Sequence, residues 1–133
     1  MDKGFLEDMT VNKARLVLHK NANCSENSLV YSLYKRGRFS RKRFWEFYDC
    51  VITLAKDALK NGRDINTAEK ITKVYQWVLK EIIYHFDKKN GFTALKKFPN
   101  KKYHVYLERL DYAVNAYFNG KFFDEKIFFL QRK

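Results

Sequence analysis

The fold is decided by residues 66–91, which read NTAEKITKVYQWVLKEIIYHFDKKNG. Apolar side chains recur in this stretch at intervals of three and four residues, the spacing that places them on one face of a helix. These side chains are Ile71, Val74, Tyr75, Val78, Leu79, Ile82, Ile83 and Phe86. Asn66 and Glu69 have the spacing of a capping box, in which the acid reaches back to the N–H of the capping residue. We therefore predict a long core helix that begins after Asn66.

The same stretch ends at Asn90-Gly91, one of three Asn-Gly pairs that follow each other at intervals of 29 residues. The other two pairs are Asn61-Gly62 and Asn119-Gly120. Gly has no Cβ, so it suits the left-handed conformation that follows the last turn of many helices. The pairs therefore predict three helix ends. Because the side chains between the pairs do not repeat, we interpret the interval as helices of similar length in one bundle, and a solenoid of repeats is the less favoured alternative.

A first helix is predicted from Thr10 to Lys20. Thr10 is a candidate N-cap, because its hydroxyl can accept a hydrogen bond from a free N–H group of the first turn. Asn21 is the candidate stop. Residues 21–28, NANCSENS, are rich in side chains that bond to their own backbone, which is typical of a loop.

Two helices are predicted next. Residues 29–36 form a short helix that stops at Gly37, and Ser40 caps a longer helix that runs to Lys60. Apolar residues recur along one side of the longer helix, which the first Asn-Gly pair closes. They are Phe44, Tyr48, Val51, Ile52, Ala55 and Leu59.

After residue 91 the sequence predicts a short turn over residues 93–97, which Pro99 ends. Asn100 is the candidate cap of a further helix that ends at Asn119. The tail, residues 121–133, is too continuously apolar to show a helical or a strand period. Asp124 as a cap favours a short final helix, and an edge strand is the alternative.

The composition agrees with one packed helical domain. The chain has 133 residues, of which 46% are hydrophobic, and only one Pro. A chain of this length buries roughly two-thirds of the surface that its unfolded form exposes. No linker or low-complexity stretch divides it. We therefore predict an all-α protein with a single domain over residues 1–133, built as a bundle of about five or six helices.

The sequence also predicts where the protein works. Cys24 and Cys50 are too few for a disulfide framework and lack the paired spacing of a zinc site. Acids lie in the first eight residues, where a signal peptide would carry a basic run. No apolar run approaches the roughly 20 residues that span a bilayer. We expect a cytoplasmic protein with free thiols and no membrane partner.

The net charge is the most unusual property of the chain. It has 27 Lys and Arg against 15 Asp and Glu, a formal charge of +12. Such an excess attracts anions and speeds encounter with acidic partners. Six cations lie within residues 35–43, and a second cluster lies within residues 96–104. Both clusters lie at predicted helix starts, where cations oppose the helix dipole unless an anion binds there.

We interpret these clusters as a binding surface for phosphate or carboxylate, which could form one face, and a solvated basic turn is the alternative. Aromatic rings beside the cations could stack on bases or anchor a protein interface. In the predicted interface, five cations of the first cluster contact the partner, three rings anchor it and three lysines steer its approach. The candidate partner-binding residues are Arg36, Arg38, Arg41, Lys42 and Arg43; Phe39, Trp45 and Tyr103; and Lys97, Lys101 and Lys102.

Catalytic signatures are absent from the sequence. His19, His85 and His104 lie on different predicted helices, and none has a metal-binding spacing with Cys, Asp or Glu. There is no Gly-rich phosphate loop and no nucleophile elbow. We predict that the protein is not an enzyme and has no catalytic residue, no metal site and no cofactor.

A compact, aromatic-rich domain with no linker and no familiar motif resembles the small immunity proteins of bacterial toxin–immunity pairs, including those of contact-dependent growth inhibition. The resemblance is one of overall character and assigns no residue. It implies a non-enzymatic inhibitor that neutralises a toxin domain by covering its functional surface. Immunity proteins to nucleases are more often acidic. The basic charge of this chain therefore implies a toxin whose own surface is acidic, or an interface away from the toxin's substrate groove.

Nucleic-acid binding is the alternative function, with the basic turn at residues 35–43 contacting phosphates. Two observations speak against it. The 15 acids are spread through every predicted helix, and no segment matches a recognition helix, an RNA-binding sheet motif or a zinc finger. On the sequence alone the inhibitor function is favoured by a narrow margin, and the oligomeric state is left open.

Overall fold

The computed structural model describes residues 9–87 and 94–132. Five α-helices and no β-sheet lie in these ranges, which confirms the predicted all-α class. The helices are α1 (Val11–Ala22), α2 (Leu29–Tyr34), α3 (Arg41–Asn61), α4 (Ile65–Phe86) and α5 (Tyr103–Asn119). The predicted helix end at Asn90-Gly91 is wrong, because α4 ends at Phe86, with Asp87 as its C-cap. The start of the predicted turn at residue 93 lies outside the described residues.

Three helices begin at a hydroxyl cap. Thr10, Ser28 and Ser40 have extended backbones, and each side-chain oxygen accepts a hydrogen bond from the N–H three residues further on, at 3.1 to 3.2 Å. The caps at Thr10 and Ser40 were predicted and are confirmed. Each such cap is worth about 1 kcal/mol of stability.

The predicted capping box at the start of α4 is wrong. The helix begins at Ile65, one residue before the predicted cap, because Asp64 supplies the cap instead. One carboxylate oxygen of Asp64 accepts from the N–H of Asn66 at 3.3 Å, and the other accepts from the hydroxyl of Thr67 at 2.7 Å. These two bonds lower the pKa of Asp64, with the Thr67 hydroxyl as the larger cause.

Asn21 does not stop α1, which continues to Ala22. The side chain of Asn21 is buried; its amide donates to the carbonyl of Val17 at 3.0 Å, and its Oδ1 accepts from the N–H of Val30 at 3.0 Å. Burial of a side-chain amide costs little free energy when both its N–H group and its oxygen are hydrogen-bonded. Asn21 therefore joins α1 to α2 rather than ending a helix.

The centre of the core is α3, against which α1 and α5 both pack. Phe47, Tyr48 and Val51 of α3 are fully buried. By contrast, α4 is less of a core helix than its apolar pattern predicted. Only four of its residues are buried, while Ile83 is 60% exposed and Phe86 is 47% exposed.

Helices α3 and α5 run parallel. Near their starts, the rings of Phe44 and Tyr106 lie 4.9 Å apart. Near their ends, a Cβ placed on Gly120 would lie 2.9 Å from Cδ2 of Leu59. Gly120 has a φ of +72°, the left-handed conformation predicted for this position, and its missing Cβ also gives Leu59 its place.

Helix α4 runs antiparallel to α5. The Tyr117 hydroxyl, near the end of α5, lies 3.3 Å from the backbone N of Asp64, the cap of α4. At the other end of the pair, the rings of Phe86 and Tyr103 lie 5.0 Å apart. The starts of α3 and α5 and the end of α4 therefore meet at one end of the bundle.

The tail, described over residues 121–132, forms neither an α-helix nor a strand in that range. It contains a 3₁₀ turn, Glu125–Ile127, and Asp124 caps this turn by accepting from the N–H of Lys126 at 3.0 Å. The predicted cap at Asp124 is thus confirmed, but it begins a single 3₁₀ turn where a short helix was predicted. The alternative prediction of an edge strand is wrong. The tail lies across α3 and α5, where two arginines hold it.

We call these two arginines and their contacts the arginine clamp. Arg109 of α5 is 1% exposed. It donates to the carbonyl of Leu130 at 3.0 Å, to the hydroxyl of Tyr48 at 2.8 Å and to the carboxylate of Glu125 at 2.8 Å. Arg132, in the tail, lies 2.8 Å from the carboxylate of Asp49 in α3. The clamp fastens the tail to the two parallel helices.

Candidate functional site

The two basic clusters of the sequence lie side by side. The N–H of Phe39 donates to the carbonyl of Lys96 at 2.8 Å, and the N–H of Lys96 donates to the carbonyl of Gly37 at 2.9 Å. These bonds form a short parallel bridge between Arg38 and Lys96. The prediction that the two clusters could share one face is thereby supported by direct backbone contact.

The connection between α2 and α3 is held from its other side as well. The N–H of Arg38 donates to the carbonyl of Ser32 at 2.9 Å, and the hydroxyl of Ser32 donates back to the carbonyl of Arg38 at 2.7 Å. Gly37 has a φ of +63°, which gives the chain the sharp turn that these bonds need. Helix α2 ends at Tyr34, earlier than predicted.

His85 holds the second cluster in place. Its Nδ1 accepts from the N–H of Leu95 at 2.7 Å, so the ring proton is on Nε2, which lies 2.7 Å from Oδ1 of Asn100. The ring is buried and lies 4.2 Å from that of Phe98. Asn100 was predicted to cap α5, and this prediction is wrong, because its side chain is bonded to His85 and the helix begins three residues later, at Tyr103, without a side-chain cap.

Exposed cations from both clusters cover this end of the bundle, and we call them the basic face. Their side chains project from the α2–α3 connection, the first turn of α3 and the segment before α5. Within residues 9–87 and 94–132, none of them forms an ion pair with a carboxylate. The basic face comprises Arg36, Arg38, Arg41, Lys42, Lys96, Lys97, Lys101 and Lys102.

Arg43 is a candidate that differs from these cations. It is half-buried, and its Nη1 lies 3.2 Å from both carboxylate oxygens of Glu46. Its Nη2 donates to Oδ1 of Asn27 at 3.3 Å. Its charge is already partnered within the protein, so we leave it out of the basic face.

The three aromatic candidates differ in exposure and surroundings. Phe39 is only 7% exposed, and its ring lies 5.2 Å from that of Tyr106 and 6.0 Å from that of Phe98. Its role as an exposed anchor is therefore corrected. The ring packs where the starts of α3 and α5 meet the second basic cluster. Burial of its apolar surface at this junction stabilises the fold.

Trp45 and Tyr103 are half-buried. The guanidinium groups of Arg132 and Arg109 lie 4.6 and 5.3 Å from the centre of the Trp45 ring system, so Trp45 belongs to the arginine clamp. Tyr103 stays beside the basic face, where its ring contacts that of Phe86 at 5.0 Å. Of the three predicted anchors, only Tyr103 lies beside the cations with part of its ring accessible.

Phe86 is a candidate that the sequence reasoning missed. The ring is 47% exposed and leans on Tyr103 and Phe98, which follow the lysines of the second cluster. Ile83, one turn earlier, is 60% exposed. The apolar pattern of α4 placed both residues on a core face. The width of this apolar pattern could have indicated the exposure of some of its residues. Adjacent apolar residues such as Ile82 and Ile83 point in different directions, so they cannot all face one partner helix.

Other chemistry is sparse in the part of the chain that the structure describes. There, no three His, Cys, Asp or Glu side chains form a group that could hold a metal ion, and no helix is long and apolar enough to cross a membrane. Cys24 and Cys50 are both free thiols. Burial raises the pKa of each, and the buried Sγ of Cys50 lies 3.1 Å from the carbonyl oxygen of Ala14. Neither thiol is activated as a nucleophile.

Comparison of the chain with models of known protein families, with curated proteins and with solved structures gave no match. Its function is therefore inferred from the surface of the chain itself.

Proposed function

We propose that the protein binds nucleic acid by contacting backbone phosphates with its basic face. The observation that supports this proposal is the meeting of exposed cations from two separate segments at one end of the bundle, without ion pairs among the described residues. The two segments, 35–43 and 94–104, contain no Asp or Glu. A group of exposed cations that form no ion pairs among the described residues suits a densely charged polyanion.

The helix ends at this surface add to its positive potential. Because α3 and α5 run parallel, their N-termini lie together at the basic face. Each N-terminus carries a partial positive charge and free N–H groups that favour an anion. Arg38 and Arg41 can form paired hydrogen bonds with phosphate oxygens. A bound phosphate would relieve the repulsion among these groups, so binding has a favourable electrostatic term.

Three of the acids that spoke against nucleic acid on the sequence have partners away from the basic face. Asp57 pairs with Arg15 at 3.4 Å, and Asp49 pairs with Arg132 at 2.8 Å. Asp111 accepts a hydrogen bond from the hydroxyl of Tyr75 at 3.0 Å. These acids take part in packing contacts between elements, so they do not neutralise the basic face.

The first experiment is fluorescence anisotropy with random single-stranded RNA and with duplex DNA at salt concentrations from about 50 to 200 mM. A protein that contacts about six phosphates loses roughly a thousandfold in affinity over this range. We expect submicromolar binding at the low end and a steep linear fall of log affinity with log salt. Weak binding with little salt dependence would contradict the proposal.

Two charge-matched double variants test the location of the surface. Arg38→Glu with Lys96→Glu reverses two cations of the basic face. Lys60→Glu with Lys121→Glu reverses two exposed cations near the ends of α3 and α5, at the opposite end of the parallel pair. At 150 mM salt we expect the first variant to bind at least tenfold more weakly than wild type and the second to stay within about threefold. Equal losses in both would mean that net charge acts without a defined surface.

A second candidate function is the inhibitor of a toxin, or another protein that covers an acidic surface. The exposed Phe86 beside the basic face favours it, together with the exposed Ile83 one turn earlier on α4, because protein interfaces combine large apolar anchors with a charged rim. The test is whether the chain restores growth when it is expressed with a toxin domain encoded beside it. Phe86→Ala should abolish that protection if the function is inhibition, while leaving RNA binding unchanged.

A further inference from the structure

A cavity of about 390 Å³ opens between α2 and α4. Its walls include the rings of Tyr34, Trp77 and Tyr84. Tyr34 is 54% exposed, and its ring meets that of Trp77 edge to face, with centroids 5.5 Å apart at 63°. The volume lies in the range of pockets that bind small molecules, which are typically lined by aromatic side chains with a few polar groups.

The polar groups of the cavity are mainly positive. Lys73 and Lys80 of α4 line it and are exposed, and Lys35 places its Nζ 5.4 Å from the centroid of the Tyr34 ring. Among the described lining residues, Glu81 is the one acid. Its pKa is raised by burial and lowered in part by a hydrogen bond from the Trp77 side chain.

These groups select among ligand classes. A simple cation would suit the ring faces, but the three lysines repel it. A simple inorganic anion would suit the lysines but make no use of the rings. A planar ring that carries an anionic group satisfies both, and Glu81 and Gln76 can hydrogen-bond to the polar edge of such a ring.

We propose that this cavity binds one nucleotide of a single-stranded nucleic acid, with its base against Tyr34 and Trp77 and its phosphate at Lys73 and Lys80. Tyr34 and Lys35 lead directly into Arg36, the first cation of the basic face. A strand held in the cavity can therefore continue over the basic face. The inference rests on the proposed function for this continuation, but the cavity's own affinity for a nucleotide does not require it.

The proposal predicts a preference that phosphate contacts alone do not give. A base in a duplex is stacked and cannot enter the cavity, whereas a base in a single strand can. Single-stranded RNA should therefore bind more tightly than duplex DNA at the same salt concentration. Equal affinity for both would count against the cavity and leave the basic face as the whole site.

Tryptophan fluorescence gives a direct readout. The chain has two Trp residues, Trp45 and Trp77, so the variant Trp45→Phe leaves Trp77 as the only reporter and keeps a ring beneath Arg132. We expect saturable quenching by AMP and by a ten-residue single-stranded oligoadenylate. Adenosine should bind more weakly than AMP because it lacks the phosphate, and tripolyphosphate should not quench because it lacks the ring.

Substitution of Tyr34 tests the cavity within the whole protein. Removal of one aromatic ring that stacks on a base weakens binding by about fivefold to a hundredfold, and we expect Tyr34→Ala to weaken oligoadenylate binding within this range. Phe129→Ala is the matched control, because Phe129 is also aromatic and is 82% exposed outside the cavity. The control should bind as the parent does, and both variants should keep the parent's melting temperature within a few degrees.

The outcomes separate the two proposals. If Tyr34→Ala binds normally while Arg38→Glu with Lys96→Glu does not, the cavity proposal fails and the basic face stands. If AMP quenches Trp77 but the oligonucleotide does not bind, the cavity is a site for a free nucleotide. Both the proposed nucleic-acid binding and the proposed binding of a single strand in the cavity are then refuted. If neither ligand binds, both proposals are overturned.

Discussion

The arginine clamp and the basic face use the same kind of side chain in opposite ways. In the clamp, Arg109 is 1% exposed and every contact is made within the protein. In the basic face, Arg36, Arg38 and Arg41 are exposed and form no ion pair among the described residues. The number of cations therefore does not identify a binding surface. What distinguishes the two regions is whether each cation already has a partner within the fold.

The energetic reason lies in desolvation. A buried guanidinium loses its hydration and is tolerated only when its N–H groups find partners, as those of Arg109 do with a carboxylate, a hydroxyl and a carbonyl. An exposed guanidinium keeps its water and adds little to folding. Substitutions in the clamp should therefore lower the stability of the fold, whereas substitutions in the basic face should weaken ligand binding.

The largest expected effect on folding comes from breaking the clamp. Arg109→Met would remove the donor of the buried Tyr48 hydroxyl and of the Leu130 carbonyl, while the partly exposed carboxylate of Glu125 would keep Arg132 as a partner, 3.8 Å away. We expect a loss of about 3 kcal/mol in the free energy of unfolding, because each buried polar group left without a partner costs about 1–3 kcal/mol. Urea unfolding measures it. The control is Arg15→Met, which removes an exposed pair with Asp57 and should cost less than about 1 kcal/mol. Similar small losses in both would remove the contrast between the regions.

A smaller loss of stability is expected from substitution of His85, which holds the second basic cluster in place. His85→Leu removes the acceptor of the Leu95 N–H, and an unsatisfied buried donor costs about 1–3 kcal/mol. We also expect faster hydrogen exchange at the amide of Leu95. His104→Leu is the control, because His104 is exposed and on the following helix. If His85→Leu matched this control in unfolding and exchange, His85 would not hold the segment.

The next effect separates capping from charge at one position. Ser40→Ala removes the cap of α3 and should cost about 1 kcal/mol without changing nucleic-acid affinity by more than about twofold. Ser40→Asp keeps a capping oxygen but adds a negative charge beside Arg38 and Arg41, so we expect normal stability and weaker binding. The two variants are compared by urea unfolding and by anisotropy. Parallel changes in both measurements would show that folding and binding are not separable here.

The smallest expected effect on folding is in the basic face itself. Arg38→Gln with Lys96→Gln keeps the backbone bridge and removes two exposed charges, and surface changes of this kind alter stability by about 0.5 kcal/mol or less. The salt slope of RNA binding should fall by about two, roughly one for each phosphate that the variant can no longer neutralise. A stability loss above about 1 kcal/mol would mean that these cations have a structural role like that of the clamp.

Much of the local structure could be predicted from the sequence. Thr10 and Ser40 were recognisable as caps because their partners are only three residues away. Gly120 was recognisable as left-handed because a helix pattern ends beside it. The two basic clusters were visible as runs of charge. In each case the chemistry that decides the structure is contained within a few neighbouring residues.

Most of the failures involve contacts between residues that are distant in the sequence. The capping box at Asn66 is a local exception, because Asp64, two residues earlier, caps the helix instead. Asn100 looked like a cap, but its partner, His85, lies 15 residues away. The buried Arg109 was not singled out in the sequence, because its burial depends on Glu125 and Leu130 from a tail whose sequence has no clear period. Phe39 was placed at the surface because it lies among cations, whereas three rings from other positions cover it.

The parallel course of α3 and α5 has a consequence for heat resistance. It gathers like charges and two positive helix ends at one pole, so the unoccupied protein carries a self-repulsion that a bound polyanion removes. By mass action, a ligand at a hundred times its dissociation constant adds about 2.7 kcal/mol to the folded state, which corresponds to a rise in melting temperature on the order of 10 °C for a domain of this size. The melting temperature of this protein is therefore a gauge of its occupancy, and its lifetime in a cell would follow the abundance of its partner.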